Sequence, residues 1–121
     1  MKVEIVAELA QGFEGNIAQS KLLVKAAAKA GADAVKFQLV YADELATPDY
    51  EHYKLFSSLE MSDTEWLDIK RYCDELGIEL ILDVFGEVGI ALAEKLLVKT
   101  VKLHATDINN VGFLENLSVS T

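Results

Sequence analysis

The chain has 121 residues, which is the size of one ordinary domain. Apolar residues make up 51% of it and charged residues 26%, so it has material for a core, and general disorder is excluded. Acidic residues outnumber basic ones by 20 to 11. The resulting formal net charge of -9 argues against binding to nucleic acid or to anionic lipid.

The cysteine content and the hydropathy of the chain limit the possible cellular compartments. The single cysteine, Cys73, excludes a disulfide within the chain and a cysteine-rich zinc site. No window reaches the roughly 18 apolar residues of a membrane span. The first residues lack the pattern of a signal peptide. We therefore expect a cytoplasmic protein without a membrane segment.

The chain opens with a predicted strand, a loop and a helix. Residues 3–8 alternate between two faces, which indicates a strand that ends at Glu8. A glycine-containing loop over 11–16 follows. Asn16 is a suitable N-cap for a helix over 17–30, and Gly31 has the position of a glycine that ends a helix.

Three further strand–helix units follow along the chain. Strands are predicted at 33–39, 78–83 and 100–104, and helices at about 62–76, 87–97 and 111–117. Ser62 and Glu65 form the pattern of a capping box at the start of the helix after the second strand. The aromatic stretch 40–58 before it is either a lid over a site or a loop packed by its own side chains.

Regular alternation of strands and helices predicts right-handed crossovers and a parallel sheet. An open doubly wound sheet buries both faces of its strands, whereas a TIM barrel carries its site at the carboxyl ends of the strands. Polar side chains recur at these ends here: Glu8, Lys36, Gln38, Asp83, Lys102 and His104. We therefore predict an α/β fold of parallel (βα) units, forming the first half of a TIM (β/α)8 barrel, with residues 1–121 as one domain.

Several segments resemble the sialic acid synthase family. Residues 6–16 resemble its opening motif, and residues 31–38, Gly-Ala-Asp-Ala-Val-Lys-Phe-Gln, look like its second-strand motif almost unchanged. Residues 80–85 and 101–110 match its third and fourth strands. The resemblance covers the whole chain as the N-terminal half of the catalytic TIM barrel. It implies a transferase that condenses phosphoenolpyruvate with an N-acylated amino sugar, such as N-acetylmannosamine, in the biosynthesis of surface polysaccharides.

The resemblance also implies roles for individual residues. Glu8 and Lys36 would be catalytic, with Glu8 at the reacting centre. Substrate would be bound by Gln38, Asp83, Lys102 and Asp107. Lys102 would hold the phosphoenolpyruvate anion, and Asp107 would contact the sugar. A divalent metal, Mn²⁺ or Mg²⁺, would polarise the aldehyde through ligands that are not in this chain, and the protein would be a homodimer.

Three places depart from the family pattern. Gly12 and Phe13 stand where the family usually reads Asn-His. Asp83 stands where it has a small hydroxyl residue, and Ala105 where it has a phosphate-binding serine. A carboxylate repels a phosphate beside it.

Other interpretations of the same residues stay open. Glu8 could be the structural counter-ion of Lys36, and Asp83 could pair with Lys102 or hold a metal. The chain could belong to a different aldolase-like or isomerase barrel. It could also be a non-catalytic half-barrel that pairs with itself or with a partner chain through its open edges. The chain alone is expected to be inactive, because half of the site is missing.

Overall fold

The computed structural model describes residues 1–120, and the side chains of residues 1–117. One parallel sheet contains, in spatial order, β1 (Val6–Ala10), β2 (Ala34–Gln38), β3 (Glu79–Val84) and β4 (Thr100–Leu103). The helices are α1 (Ile17–Lys29), α2 (Ala42–Leu45), α3 (Tyr53–Leu59), α4 (Asp63–Leu76), α5 (Glu87–Lys95) and α6 (Val111–Ser120), with a 3-10 turn at Ala105–Asp107. None of the helices in this part of the chain is long and apolar enough to cross a bilayer.

The first strand begins later than the alternating pattern predicts. The predicted strand is present, but its bounds of 3–8 are wrong, because the ladder with β2 starts where Val6 pairs with Ala34 and the strand ends at Ala10. Before the first ladder pair, the Ile5 amide donates to the carboxylate of Asp33, the residue that precedes β2, at 2.9 Å. Val3 is 74% exposed, so its place in the pattern does not mark a buried face.

Helix boundaries follow the capping signals closely. The Asn16 side chain accepts from the Gln19 amide at the start of α1. Ser62 and Glu65 form the complete capping box at the start of α4. Gly77 ends α4 with a φ of 69°, a left-handed conformation that glycine adopts without steric cost. The predicted caps at Asn16 and Ser62 are confirmed.

The core lies between the sheet and the helices. Val35 and Phe37 of β2 are fully buried on the helix-facing side. Phe37, Phe13 and Trp66 form a triangle of edge-to-face rings, with centroids 5.5 to 5.9 Å apart. Phe13 therefore anchors the loop after β1 in the core. Trp66 and Ile69 of α4 are also buried in this core.

The segment between β2 and α4 contains two short helices, α2 and α3. Tyr50 stacks on Phe56 with centroids 6.2 Å apart. The Tyr53 hydroxyl donates to Asp43 at 2.5 Å. These contacts favour the interpretation of a segment packed by its own side chains over that of an open lid.

Candidate functional site at the carboxyl ends of the strands

Five of the predicted site residues lie on one face of the sheet. Glu8 pairs with Lys36 across β1 and β2. Gln38 pairs with Asp83, and Asp83 pairs with Lys102, across β2, β3 and β4. Side chains paired across parallel strands, or two residues apart on one strand, share a face. The face is opposite the one that buries Phe37 against the helices, so the predicted gathering of polar groups is present.

Glu8 and Lys36 form the first ion pair of this face. Lys36 Nζ lies 2.7 Å from Glu8 Oε2, and the Ala10 amide donates to Glu8 Oε1 at 3.1 Å. The ladder shifts between Glu8 and Ala10, where Ala10 adopts a left-handed φ of 46°. Such bulges re-aim a side chain at the end of a strand. The Glu8 carboxylate is thus held from two sides while its side chain stays 49% exposed.

Asp83 and Lys102 form the second ion pair, with Lys102 Nζ 2.8 Å from Asp83 Oδ2. The Asp83 side chain is 1% exposed and that of Lys102 is 47% exposed. Asp83 Oδ1 is buried without a hydrogen-bond partner among the described residues. The hydrogen bond from Lys102 to Asp83 raises the pKa of Lys102, and the charge of Glu8 acts in the same direction. Lys102 is therefore held in its charged form.

The other candidates lie nearby in different settings. Gln38 is half-buried between the two ion pairs. Asp107 lies in the 3-10 turn after β4, outside the row on the sheet, where its charge acts on Glu44. The His104 ring packs against Phe85 with centroids 4.6 Å apart, as expected for a packed histidine rather than a ligand.

Glu44 is a site feature that sequence reasoning missed. Its carboxylate accepts from the Val88 amide at 3.3 Å and from the Gly89 amide at 3.2 Å, at the N-terminus of α5. A Cβ at Gly86 would overlap with this carboxylate, so a larger residue there would displace the Glu44 side chain from its present position. Burial raises the pKa of Glu44, and the negative charges of Asp107 and Glu87 add to the effect. No local pattern reveals a contact between residues 44 positions apart in the chain.

A metal site is not formed by the described residues themselves. Residues 1–117 bring no three His, Cys, Asp or Glu side chains together in a way that could hold a metal ion. The carboxylates of the face are each matched with a lysine. The residues present therefore do not fit a metal on their own.

A cleft of about 280 Å³ lies at the opposite end of the sheet, away from the candidate site. Its lining includes Lys70, Gly77, Glu79 and Lys99. Because β3 begins at Glu79, this cleft belongs to the amino ends of the strands. In barrels built this way, that end contributes to stability and the carboxyl ends carry the chemistry.

The fold and the face together define a class of protein. Parallel (βα) units with charged side chains on one face at the strands' carboxyl ends are typical of half a TIM-barrel enzyme. Residues 23–120 match the family model for the NeuB family. The chain belongs to the NeuB family.

Individual relatives agree with this assignment. The chain is 33% identical over 114 residues to an uncharacterized protein of Methanocaldococcus jannaschii, covering 94% of this chain and 34% of that protein. It is 32% identical over 126 residues to the N,N'-diacetyllegionaminic acid synthase of Legionella pneumophila, covering 93% of this chain and 35% of that enzyme. The chain thus spans about a third of the length of the curated relatives it matches.

A solved structure gives the same result for the fold. The crystal structure of N-acetylneuraminic acid synthetase from Leptospira borgpetersenii matches with a TM-score of 0.91 and 25% identity, covering 99% of this chain and 42% of that one. The resemblance to sialic acid synthases and the half-barrel architecture are both confirmed.

Proposed function

We propose that this chain supplies the first half of the active site of a transferase that condenses phosphoenolpyruvate with an N-acylated amino sugar. The observation that carries the proposal is the face at the strand ends, where Lys36 and Lys102 are each held by a carboxylate. Membership of the NeuB family and likeness to proteins named as legionaminic and sialic acid synthases support it.

The proposed reaction joins C3 of the enolpyruvate to the aldehyde carbon of the open-chain sugar. Water adds to C2 of the enolpyruvate, and the phosphate leaves with the bonding electrons of its C–O bond. Lys36 and Lys102 hold the negative charges of the donor. Glu8 positions the sugar or the attacking water, since Lys36 and the Ala10 amide fix its carboxylate. Gln38 and Asp107 contact the substrates from the same end of the sheet.

The proposal also includes the metal and the cellular location of the protein. A divalent metal, Mn²⁺ or Mg²⁺, takes its ligands from residues beyond those described, so no step by this chain's residues depends on it. A cytoplasmic location is proposed together with the phosphoenolpyruvate donor, which is a product of central metabolism.

A homodimer is proposed from the edge of the sheet. β1 is an edge strand of the sheet. Its first residue, Val6, is 41% exposed, and Val3 and Ile5 just before it are 74% and 58% exposed. For this chain taken by itself, unpaired main-chain groups and apolar side chains at such an edge favour pairing with a second copy, whereas in the complete barrel a further strand would cover this edge. Light scattering should give twice the chain mass of 13.3 kDa. A monomer that still melts cooperatively would contradict this part of the proposal.

The activity is tested in a chimera, because the chain spans only part of its relatives. This chain replaces the matching segment of the Leptospira synthetase, and phosphate release is measured with phosphoenolpyruvate and N-acetylmannosamine. We expect release only when both substrates are present. Lys36→Met and Lys102→Met should each lower the rate by about a hundredfold.

The matched control is Lys95→Met, which removes a lysine paired with the half-exposed Asp63 on the helix layer. It should leave the rate unchanged. A chimera that folds like the recipient enzyme but releases no phosphate would refute the proposal. Equal loss of activity in the control variant would refute the assignment of Lys36 and Lys102.

A further inference from the structure

We propose that His104 is a further catalytic residue, which gives a proton to the aldehyde oxygen of the sugar and takes one back from the attacking water. This inference rests on the proposed function, since it assigns the proton transfers that the same condensation needs. It uses a side chain at the strand ends that neither ion pair involves.

His104 follows the last residue of β4 and lies on the face that carries the two ion pairs. Its backbone is still extended, with a φ of -79° and a ψ of 145°. Because side chains alternate along an extended chain, His104 shares its face with Lys102, two residues earlier. The register of β3 and β4 ends where Val84 pairs with Leu103, so Phe85 is the next neighbour of His104. The two rings lie with their centroids 4.6 Å apart, as this register requires.

The His104 ring is held in place while its nitrogen atoms stay available. It packs against Phe85 at an interplanar angle of 37°, and this contact limits the rotation of the imidazole. Within residues 1–117, neither ring nitrogen takes part in a hydrogen bond or an ion pair. Neither nitrogen belongs to the fully buried polar atoms without a partner, which are Trp66 Nε1 and Asp83 Oδ1. His104 is therefore a positioned imidazole that a ligand can reach.

The other groups on this face are poorly suited to moving protons. The two carboxylates, Glu8 and Asp83, are each paired with a lysine. The hydrogen bond that Lys102 donates to Asp83 raises the pKa of Lys102, so this ammonium keeps its proton. Gln38 does not titrate. Histidine, in contrast, changes its charge near neutral pH and can both give and accept a proton.

The proposed proton transfers balance the reaction. C3 of the enolpyruvate bonds to the aldehyde carbon with the electrons of its double bond, and the carbonyl π electrons move to the aldehyde oxygen, which takes the proton of the His104 imidazolium. Water then adds to C2 and gives one proton back to the neutral imidazole. The phosphate leaves with the electrons of its C–O bond and takes the remaining proton of the C2 hydroxyl group. His104 ends in the protonation state in which it began.

Several charged groups on neighbouring elements contribute to the electrostatic potential at the imidazole. Lys102 lies on the same strand and Asp83 on β3. Asp107 lies in the turn after β4, where its amide donates to the His104 carbonyl at 3.0 Å, and Glu87 begins α5. A pH dependence of the rate is therefore assigned to His104 only where it disappears together with the imidazole.

The test uses the chimera with the Leptospira synthetase, in which phosphate release from both substrates is measured between about pH 6 and pH 8. His104→Gln keeps a polar side chain but cannot transfer a proton. We expect kcat to fall by about a hundredfold and KM to change by less than about threefold. The rate of the wild-type chimera should fall above about pH 7, and this fall should be absent from the variant. Added imidazole should raise the rate of His104→Ala by at least about tenfold.

The matched control is His52→Gln, which changes the other histidine of the chain. The His52 ring contacts Tyr50 with centroids 5.4 Å apart, and its side chain is 55% exposed. This variant should change neither the rate nor its pH profile. An active chimera in which His104→Gln leaves kcat unchanged, or lowers it without altering the pH profile, would overturn the inference and leave the proposed function standing. A wild-type chimera that folds but releases no phosphate would overturn both.

Discussion

Removing Lys102 should destabilise the chain much more than removing Lys36, although the two ion pairs are 2.8 and 2.7 Å long. Lys102→Met leaves Asp83 as a buried carboxylate whose Oδ1 already has no partner among the described residues. Breaking a buried pair in this way costs about 3 to 5 kcal/mol. Because Lys102 itself is 47% exposed and water can approach from its side, we expect about 2 to 3 kcal/mol.

Lys36→Met is the matched control for this comparison. It removes the same side chain from the neighbouring strand, but the partner it leaves behind, Glu8, is 49% exposed and returns to water. Pairs of this kind contribute no more than about 1 kcal/mol. The difference between the two variants therefore measures the cost of a buried, unpaired charge.

The assay is urea unfolding of both variants, followed by the fluorescence of Trp66, the single tryptophan. A third variant, Lys102→Met with Asp83→Asn, removes the stranded charge and should recover more than half of the loss. Equal losses for Lys102→Met and Lys36→Met would refute the reasoning. So would a double variant that is no more stable than Lys102→Met.

Three other changes test separate features. Leu97 is 80% exposed and has a left-handed φ of 58°. Because asparagine adopts this conformation more readily than leucine, Leu97→Asn should raise the free energy of unfolding by about 0.5 to 1 kcal/mol in a urea titration. A loss of stability would show that the left-handed backbone at this position carries no strain. Gly86→Ala should lower the free energy of unfolding by about 1 to 2 kcal/mol, because it displaces the Glu44 carboxylate from the N-terminus of α5. The same change should lower it much less in a Glu44→Ala background. Equal losses in both backgrounds would contradict this contact. Burial raises the pKa of the Cys73 thiol to about 12, so the native chain should not react with a thiol reagent at about pH 8 except by unfolding. Because this pKa lies above the unfolded value of about 8.5, the thiol's contribution to stability is complete below that pH and is lost as the pH rises toward about 12. Cys73→Ala should remove this part of the loss of stability at high pH. An unchanged pH profile of stability in the variant would contradict the burial of the thiol as its cause.

Much of the fold follows from local signals in the sequence. The capping box at Ser62 and the cap at Asn16 locate the starts of α4 and α1, since both act within a few residues. The spacing of Lys36 and Gln38 places both side chains on the face at the strand ends, because strand side chains alternate. The pairs Glu8–Lys36 and Asp83–Lys102 could be anticipated as counter-ions, and the distances confirm them.

The remaining features depend on contacts between distant residues. The Ala10 bulge and the burial of Phe13 arise from the pairing of β1 with β2 and from the packing of α4. Glu44 reaches α5 across a separation that no helix or turn pattern encodes. The start of β1 is wrong in the prediction because exposed apolar residues such as Val3 imitate the alternation of a buried strand.

We expect phosphoenolpyruvate to bind at the carboxyl ends of the four strands, which form the donor subsite of the proposed function. The most direct measurement is a titration of the isotope-labelled chain with phosphoenolpyruvate, followed by amide and lysine signals in NMR spectra. We predict shifts concentrated at Glu8, Lys36, Gln38 and Lys102, with none in the cleft at the amino ends. Shifts concentrated instead around Lys70, Gly77 and Lys99 in that cleft, or no shifts at saturating ligand, would contradict a donor subsite at the carboxyl ends of the strands.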